Sequence, residues 1–280
     1  MKDVNILTSN GVDVNHGLEL LGDIETYDSI ITDFYDGYLD RMKKIDDFKN
    51  NSDMENYAIE VHSLKSDSKY LGFMTLADIA YKHEMASKAN NVEEVNNNYN
   101  ELVTEANRIF EVVSKYLGNE VSIAPIPEVE PVVTAPQIVE ESVQVVASNV
   151  VENYKYAILV ADDSNIIREF VNDVFKDEYQ ILMASNGEEV INIVNANKDM
   201  IKALLLDLNM PGTNGFGVLD YFKENNLFES IPVSIISGAD DKESIDKAFT
   251  YPIVDMLNKP FSKESVKQVV EKTINVGGIM

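Results

Sequence analysis

Apolar side chains recur every three or four positions through residues 1–120, the spacing of one buried face of an α-helix. Strand-like alternation and β-turn dipeptides are scarce in this stretch. Asp53 and Thr75 are of the types that begin helices, and Gly118 is of the type that ends one. We therefore predict an antiparallel helical bundle.

A different pattern occupies residues 155–280. Short runs of β-branched and other apolar residues are each followed by an amphipathic helical stretch, which predicts a parallel sheet covered by helices on both faces. The predicted strands are Tyr156–Ala161, Gln180–Met183, Ile201–Leu206, Ile231–Ile236 and Ile253–Leu257.

Between these parts, residues 121–154 combine proline, valine, glutamate and serine with no lysine or arginine. That composition predicts an extended acidic linker. A length of 280 residues fits two domains, since a domain commonly has about 100–200 residues. The expected division is therefore 1–120, 121–154 and 155–280.

Composition narrows the classes of function. The chain has 48 acidic and 23 basic residues, a formal charge of -25, which argues against nucleic acid or an anionic membrane as a partner. It has no cysteine, which excludes a disulfide framework, a thiolate zinc site and a cysteine nucleophile. Without a signal-like start or an apolar run of about 20 residues, we expect a cytoplasmic protein.

The polar residues that follow the predicted strands indicate phosphoryl chemistry. Ligands of parallel sheets bind at the carboxyl ends of the strands, where this chain places Asp162, Asp163, Asp207, Ser237 and Lys259. Carboxylates gathered there repel one another unless a cation such as Mg²⁺ intervenes. A carboxylate nucleophile beside a metal, a hydroxyl and an ammonium would suit phosphoryl transfer.

These segments resemble the receiver domain of response regulators. The matching stretches are Ile158–Asp163, Leu204–Gly212, Ile235–Gly238 and Asn258–Phe261. The resemblance implies a flavodoxin-like α/β fold with a five-stranded parallel sheet. One departure is Met256, which stands where the family usually has tyrosine or phenylalanine, so the family's usual output switch is in question.

The resemblance also implies roles for single residues. Asp207 would be the phosphoacceptor, and Ser237 and Lys259 would hold phosphoryl oxygens. The Lys259–Pro260 bond would be cis. The ligands of Mg²⁺ would be Asp162 (through water), Asp163, Asp207 and the carbonyl of Asn209.

The stretch from Val61 to Gly72 carries a second chemical signal. On a helix, His62, Lys65 and Lys69 share one face, which predicts a solvent-exposed imidazole beside cations that attract a phosphoryl group. With Leu64 and Gly72, the stretch resembles the acceptor helix of histidine phosphotransfer (HPt) domains over about residues 11–118. Ser66 replaces the usual glycine. The resemblance implies that His62 forms phosphohistidine, with Lys65 assisting.

No ATP-binding box of a kinase is recognisable, so we expect no kinase activity. The favoured interpretation is a phosphorelay protein that exchanges phosphoryl groups with histidine kinases or other receiver domains, and between His62 and Asp207 of the same chain. Two alternatives stay open. Phosphorylation of Asp207 would control a protein-binding surface that includes Ile166, or Asp207 would serve as a phosphate sink with slow self-hydrolysis.

Overall fold

The computed structural model describes residues 2–119, 154–238 and 242–277. The predicted linker, residues 121–154, lies almost wholly outside the described residues, so the predicted division into three parts stays a prediction. The first part is helical, as predicted. Its helices are α1 (Asn5–Thr8), α2 (Val14–Leu21), α3 (Ile24–Asn50), α4 (Met54–Tyr70), α5 (Met74–Lys88) and α6 (Val92–Leu117). The four long helices pack together as a bundle.

Local signals set most of the helix ends. The Asp53 side chain accepts a hydrogen bond from the Asn56 amide at the start of α4, and Gly118 ends α6 with a φ of +78°. The predicted cap Thr75 is wrong, because Gly72 (φ +76°) turns the chain earlier and α5 already begins at Met74.

The second part is a five-stranded parallel sheet in the order β2-β1-β3-β4-β5, which confirms the predicted fold class. The strands are β1 (Ala157–Ala161), β2 (Gln180–Ala184), β3 (Ile201–Asp207), β4 (Val233–Gly238) and β5 (Asp255–Lys259). The helices are α7 (Asn165–Phe175), α8 (Gly187–Asn197), α9 (Gly215–Glu224), α10 (Lys242–Ala248) and α11 (Lys263–Gly277), with a 3₁₀ turn at Leu227–Glu229.

Side chains of the central strands alternate between two cores. Ile158 and Val160 of β1 face the core that contains α7 and α11, whereas Leu159 and Ala161 face the core that contains α8 and α9. Both faces of the sheet are thus covered, which explains the nearly continuous apolar sequence of β1 and β3.

The bundle and the sheet domain share the first of these cores. That cluster of buried apolar side chains runs without interruption from the helices of the bundle into α7 and α11. At the junction, the Tyr70 ring lies 5.9 Å from the Phe170 ring and 5.6 Å from the Phe261 ring, measured between centroids. This packing places α4 of the bundle over the carboxyl edge of the sheet.

Candidate functional site

Three carboxylates meet at the carboxyl edge of the sheet. Asp162 and Asp163 follow β1, Asp207 ends β3, and one oxygen of each lies within 4.8 Å of the others. Lys259 ends β5 and reaches between them, with its Nζ 2.6 Å from Asp207 Oδ2 and 2.8 Å from Asp162 Oδ2. The structure therefore brings together four of the residues that the sequence predicted.

The charges in this acidic pocket are not balanced. Burial raises the pKa of Asp162 and of Asp163, and neighbouring carboxylates add to both effects. Burial also opposes the charge on Lys259, but Asp162, Asp207 and Asp163 outweigh it and raise the pKa of the lysine. One fixed cation among three carboxylates leaves room for a further positive charge.

Hydrogen bonds from the backbone fix two of the carboxylates. The Ser164 amide donates to Asp162 Oδ1, and the Asn209 amide donates to Asp207 Oδ1, each at 3.0 Å. Asp163 Oδ1 is buried with no hydrogen-bond partner among the described residues. An unpartnered carboxylate oxygen beside two oriented carboxylates is a donor set that suits a hard divalent cation.

The other predicted receiver residues also lie at this edge. Ser237 is buried near the end of β4, one residue beyond the partner of Asp207 in the strand register, and its hydroxyl donates to the Gly238 carbonyl at 3.3 Å. The Lys259–Pro260 bond is cis. Met256 is half-buried and packs against the core that contains α8 and α9.

His62 enters the site from the bundle. A Cβ built on Gly238 would lie 3.5 Å from His62 Cε1, so the imidazole reaches the end of β4 beside Ser237. His62 also lines a cleft of about 670 Å³ together with Asn209 and Met210, which follow Asp207. The histidine thus faces the acidic pocket.

The predicted solvent exposure of His62 is wrong. The side chain is 4% exposed, because the bundle packs on the edge of the sheet and the sheet domain covers the helix face that carries it. Lys65 is 4% exposed as well, and it turns toward a carboxylate within the bundle.

That carboxylate is Glu84, which the sequence reasoning missed. Its Oε1 is 2.7 Å from His62 Nδ1, its Oε2 accepts from Lys65 Nζ at 2.6 Å, and Lys88 Nζ is 2.8 Å from Oε1. Burial would raise the pKa of Glu84, but these partners lower it. A signal was present, because Glu84 continues the buried stripe of Ala77 and Ala80 on α5.

With Nδ1 held by Glu84, the other ring nitrogen of His62 remains available. His62 Nε2 is buried and has no hydrogen-bond partner in the described part of the chain. A carboxylate at Nδ1 favours the tautomer that carries its proton there, which leaves a lone pair on Nε2.

The other two histidines lie apart from this arrangement. His83 is buried in the bundle, where its Nδ1 is 2.8 Å from the Tyr57 hydroxyl and its Nε2 is 3.2 Å from the Asn98 carbonyl. His16 lies on α2, and its amide donates to the capping side chain of Asp13. His83 therefore has a structural set of partners.

A doubly wound parallel sheet that gathers carboxylates and a lysine at its carboxyl edge defines a phosphoacceptor domain of the α/β class. The family model of the response regulator receiver domain matches residues 158–271. Chemotaxis protein CheY1 of Helicobacter pylori is 30% identical over 116 residues, which are 41% of this chain and 93% of that protein. Through this domain, the chain belongs to the response regulator receiver family.

Two further similarities cover about the same share of this chain. The glycerol metabolism activator of Pseudomonas putida is 30% identical over 123 residues, which cover 43% of this chain and 54% of that protein. The chain therefore spans about half the length of that relative. The crystal structure of a response regulator receiver domain protein from Clostridium thermocellum covers 43% of this chain and 94% of its own, with 25% identity and a TM-score of 0.40.

Membership of this family indicates two-component signalling by phosphoryl transfer at an aspartate. Receiver domains interact with histidine kinases and phosphotransfer proteins, and the proteins that carry them are typically response regulators. Among the helices that the structure describes, none has both the length and the apolar content needed to cross a bilayer.

Proposed function

We propose that this chain is a phosphorelay protein in which an HPt-like bundle carries a phosphoryl group on His62 and the receiver carries one on Asp207. The observation that carries the proposal is the position of His62. Its imidazole reaches the carboxyl edge of the receiver sheet with an unpartnered Nε2, although it belongs to a different folding unit.

The transfer step is a displacement at phosphorus. When phospho-His62 is the donor, its N–P bond breaks as an Asp207 oxygen forms the new O–P bond, and the electron pair of the broken bond stays on Nε2. Lys259, which already contacts Asp207, and the Ser237 hydroxyl would hold the phosphoryl oxygens. The reverse reaction uses the same groups.

Glu84 prepares the imidazole for this exchange. Because the carboxylate holds Nδ1, the ring has a fixed orientation and presents its lone pair at Nε2 toward the receiver. Lys65 and Lys88 stabilise the charge of Glu84, and they add positive charge near the position of an arriving phosphoryl group. Lys65 would thus assist His62 through Glu84.

The acidic pocket fits Mg²⁺. Asp163 and Asp207 would bind it directly, Asp162 would bind it through water, and the Asn209 carbonyl would complete the protein ligands. When bound, the ion would supply the positive charge that the pocket lacks and would neutralise phosphoryl oxygens. Lys259 alone offsets one carboxylate charge.

The proposed partners are histidine kinases and other receiver domains, which would exchange phosphoryl groups with Asp207 and His62. The net charge of -25 argues against nucleic acid or anionic membrane, and a cytoplasmic location is part of the proposal.

Isotopically labelled acetyl phosphate with Mg²⁺ tests the relay without a kinase. Asp207 should be labelled first as an alkali-labile acyl phosphate, and an alkali-stable label should then appear on His62, located by mass spectrometry. Asp207→Asn should abolish both labels, whereas His62→Gln should abolish only the second. Absence of any alkali-stable label on His62 in the wild type would contradict the relay.

The same experiment separates the alternatives. A binding module or a phosphate sink needs only Asp207, so His62→Gln would leave the fate of the label unchanged. Ile166, the candidate contact of such a module, is 2% exposed and borders a cavity with Phe34 and Leu64 of the bundle. Its position next to the bundle favours the relay, because an outside partner does not reach it in this arrangement.

A further inference from the structure

A stripe of polar side chains on α4 contacts the receiver beside the reacting groups. Ser63, Asp67 and Tyr70 are spaced by four and three residues, so they lie on one face of the helix. The Ser63 hydroxyl donates to Asp163, the Ser164 hydroxyl donates to Asp67 Oδ1 at 2.5 Å, and the Phe261 amide donates to the Tyr70 hydroxyl at 3.0 Å.

Asp67 lies in the contact between α4 and the receiver, and it does not touch the reacting atoms. It is 1% exposed, and its second oxygen accepts from Arg41 of α3. A buried carboxylate of this kind adds little net stability, but it disfavours every partner that leaves its Oδ1 without a hydrogen-bond donor. Ser164 satisfies it here, and a receiver with an apolar or acidic residue at that position would not.

Tyr70 combines an apolar and a polar contact. Its ring is fully buried against Phe170 and Phe261. Its hydroxyl accepts a hydrogen bond from the amide of Phe261, which is two residues after Lys259. The aromatic rings provide buried apolar area, and the hydrogen bond fixes the orientation of the Tyr70 side chain. A partner can make this contact only if it offers both a pair of aromatic rings and a backbone amide that is free to donate.

We infer that Asp67 and Tyr70 are specificity determinants that select the chain's own receiver, and that the resting chain is closed with His62 docked on it. The partner that they select is a receiver with two features. It has a hydroxyl side chain directly after its acidic pair, and it has aromatic residues at the positions of Phe170 and Phe261. The inference deepens the proposed function, but docking itself does not depend on phosphoryl transfer.

Closing has opposite effects on two reactions. It brings His62 to the acidic pocket, which accelerates exchange within the chain by proximity. It also buries His62 and Asp207, so that an outside kinase or receiver must meet the open chain. A substitution that only weakens docking should therefore slow internal exchange and speed transfer with outside proteins, whereas general damage would slow both.

Docking can be measured directly with spin labels, because the chain has no native cysteine. Asn96→Cys on the bundle and Glu224→Cys on the receiver place labels at exposed positions. The wild-type background should give one narrow distance distribution. Ser164→Asp can still cap α7 but puts a second carboxylate against Asp67. It should lower the closed-to-open ratio by about a hundredfold or more, which makes the open form at least half of the chains.

A swap controls for misfolding. The double variant Asp67→Ser with Ser164→Asp exchanges the two side chains and keeps their hydrogen bond, so it should restore the narrow distribution. Ser164→Thr keeps the hydroxyl and should leave the distribution unchanged. A narrow distribution retained in Ser164→Asp, or a broad one in both Ser164→Asp and the swap, would overturn the inference.

Two more measurements separate the possible failures. In Tyr70→Phe, the loss of one buried hydrogen bond should raise the open fraction by about tenfold, so transfer of the label to an added His62→Gln chain should speed up by about tenfold, while labelling of Asp207 by acetyl phosphate should not slow. Mixing singly labelled chains tests docking between copies, and a short distance found only there would overturn the inference. Intact docking without any label on His62 would instead refute the relay alone.

Discussion

Replacing Glu84 by glutamine changes one charge at the centre of the proposed histidine site. The carboxylate is 1% exposed and is contacted by His62, Lys65 and Lys88. Glutamine keeps the shape but has one acceptor oxygen, so it cannot satisfy all of these donors. It also offers an amide that is a poor partner for a proton on Nδ1.

The size of the effect follows from the bond that is lost. A hydrogen bond to a charged group contributes about 1.5–3 kcal/mol, which corresponds to about a tenfold to hundredfold change in rate if it is needed in the transition state. We therefore expect Glu84→Gln to slow phosphorylation of His62 by that factor. Labelling of Asp207 by acetyl phosphate should change by less than about twofold, because Glu84 does not contact the acidic pocket.

The measurement must distinguish orientation from simple loss of structure. Nitrogen NMR of the imidazole reports the tautomer, and the wild type should show the proton mainly on Nδ1, whereas Glu84→Gln should show a mixture. Asp78→Asn, an exposed carboxylate on the same helix, is the matched control. In Glu84→Gln, the buried Lys65 loses the carboxylate that neutralises it. The double variant with Lys65→Gln removes this unpaired lysine, so it shows whether lost stability explains the slower reaction at His62.

One outcome would refute this reasoning. If Glu84→Gln leaves both the tautomer and the rate at His62 unchanged, then Glu84 only neutralises Lys65 and Lys88, and the proposed preparation of the imidazole is wrong.

Three other substitutions test separate parts of the site. Asp163→Asn should weaken Mg²⁺ binding by at least about tenfold in calorimetric titrations, because a ligand charge is lost. Gly238→Leu should block label transfer to His62 in the acetyl phosphate assay while Asp207 is still labelled, since a side chain there meets the imidazole. Burial, with repulsion from carboxylates that include Glu169 of α7, raises the pKa of Asp33 on α3 to about 6 from the ordinary 3.8. Because Glu169 and Asp173 of the receiver contribute to this rise, docking favours the protonated acid, so docking should weaken as the pH rises toward about 6 and then level off. Asp33→Asn should remove this dependence in the spin-label distances, and an unchanged pH profile would count against it.

The sequence predicted the receiver fold and its acidic pocket because both depend on local patterns. Strand ends in a parallel sheet meet at one edge, so Asp163, Asp207 and Lys259 converge whatever else the chain does. The predicted starts of β4 and β5 were two residues early, because Ile231 and Ile253 pack against a core from outside the strands. A buried apolar residue in a loop has the same sequence signature as one in a strand.

The surroundings of His62 were less predictable. Helical periodicity shows which residues share a face, but it does not show what packs against that face. The receiver covers His62, and Glu84 approaches it from another helix, so both facts depend on tertiary contacts. The polar stripe on α4 was not predicted for the same reason, because Asp67 looks like an ordinary solvated residue until Ser164 and Arg41 are placed beside it.

In the proposed closed chain, the aromatic junction of Tyr70, Phe170 and Phe261 would also set how often an outside partner can reach the phosphorylation sites. Exposing one large apolar side chain to water costs about 2–3 kcal/mol, which corresponds to about one open molecule in a hundred. An outside protein that needs the open form would bind with an affinity reduced by that same factor. Side chains that touch no phosphoryl group would thus govern how sensitively the proposed relay responds to an outside partner.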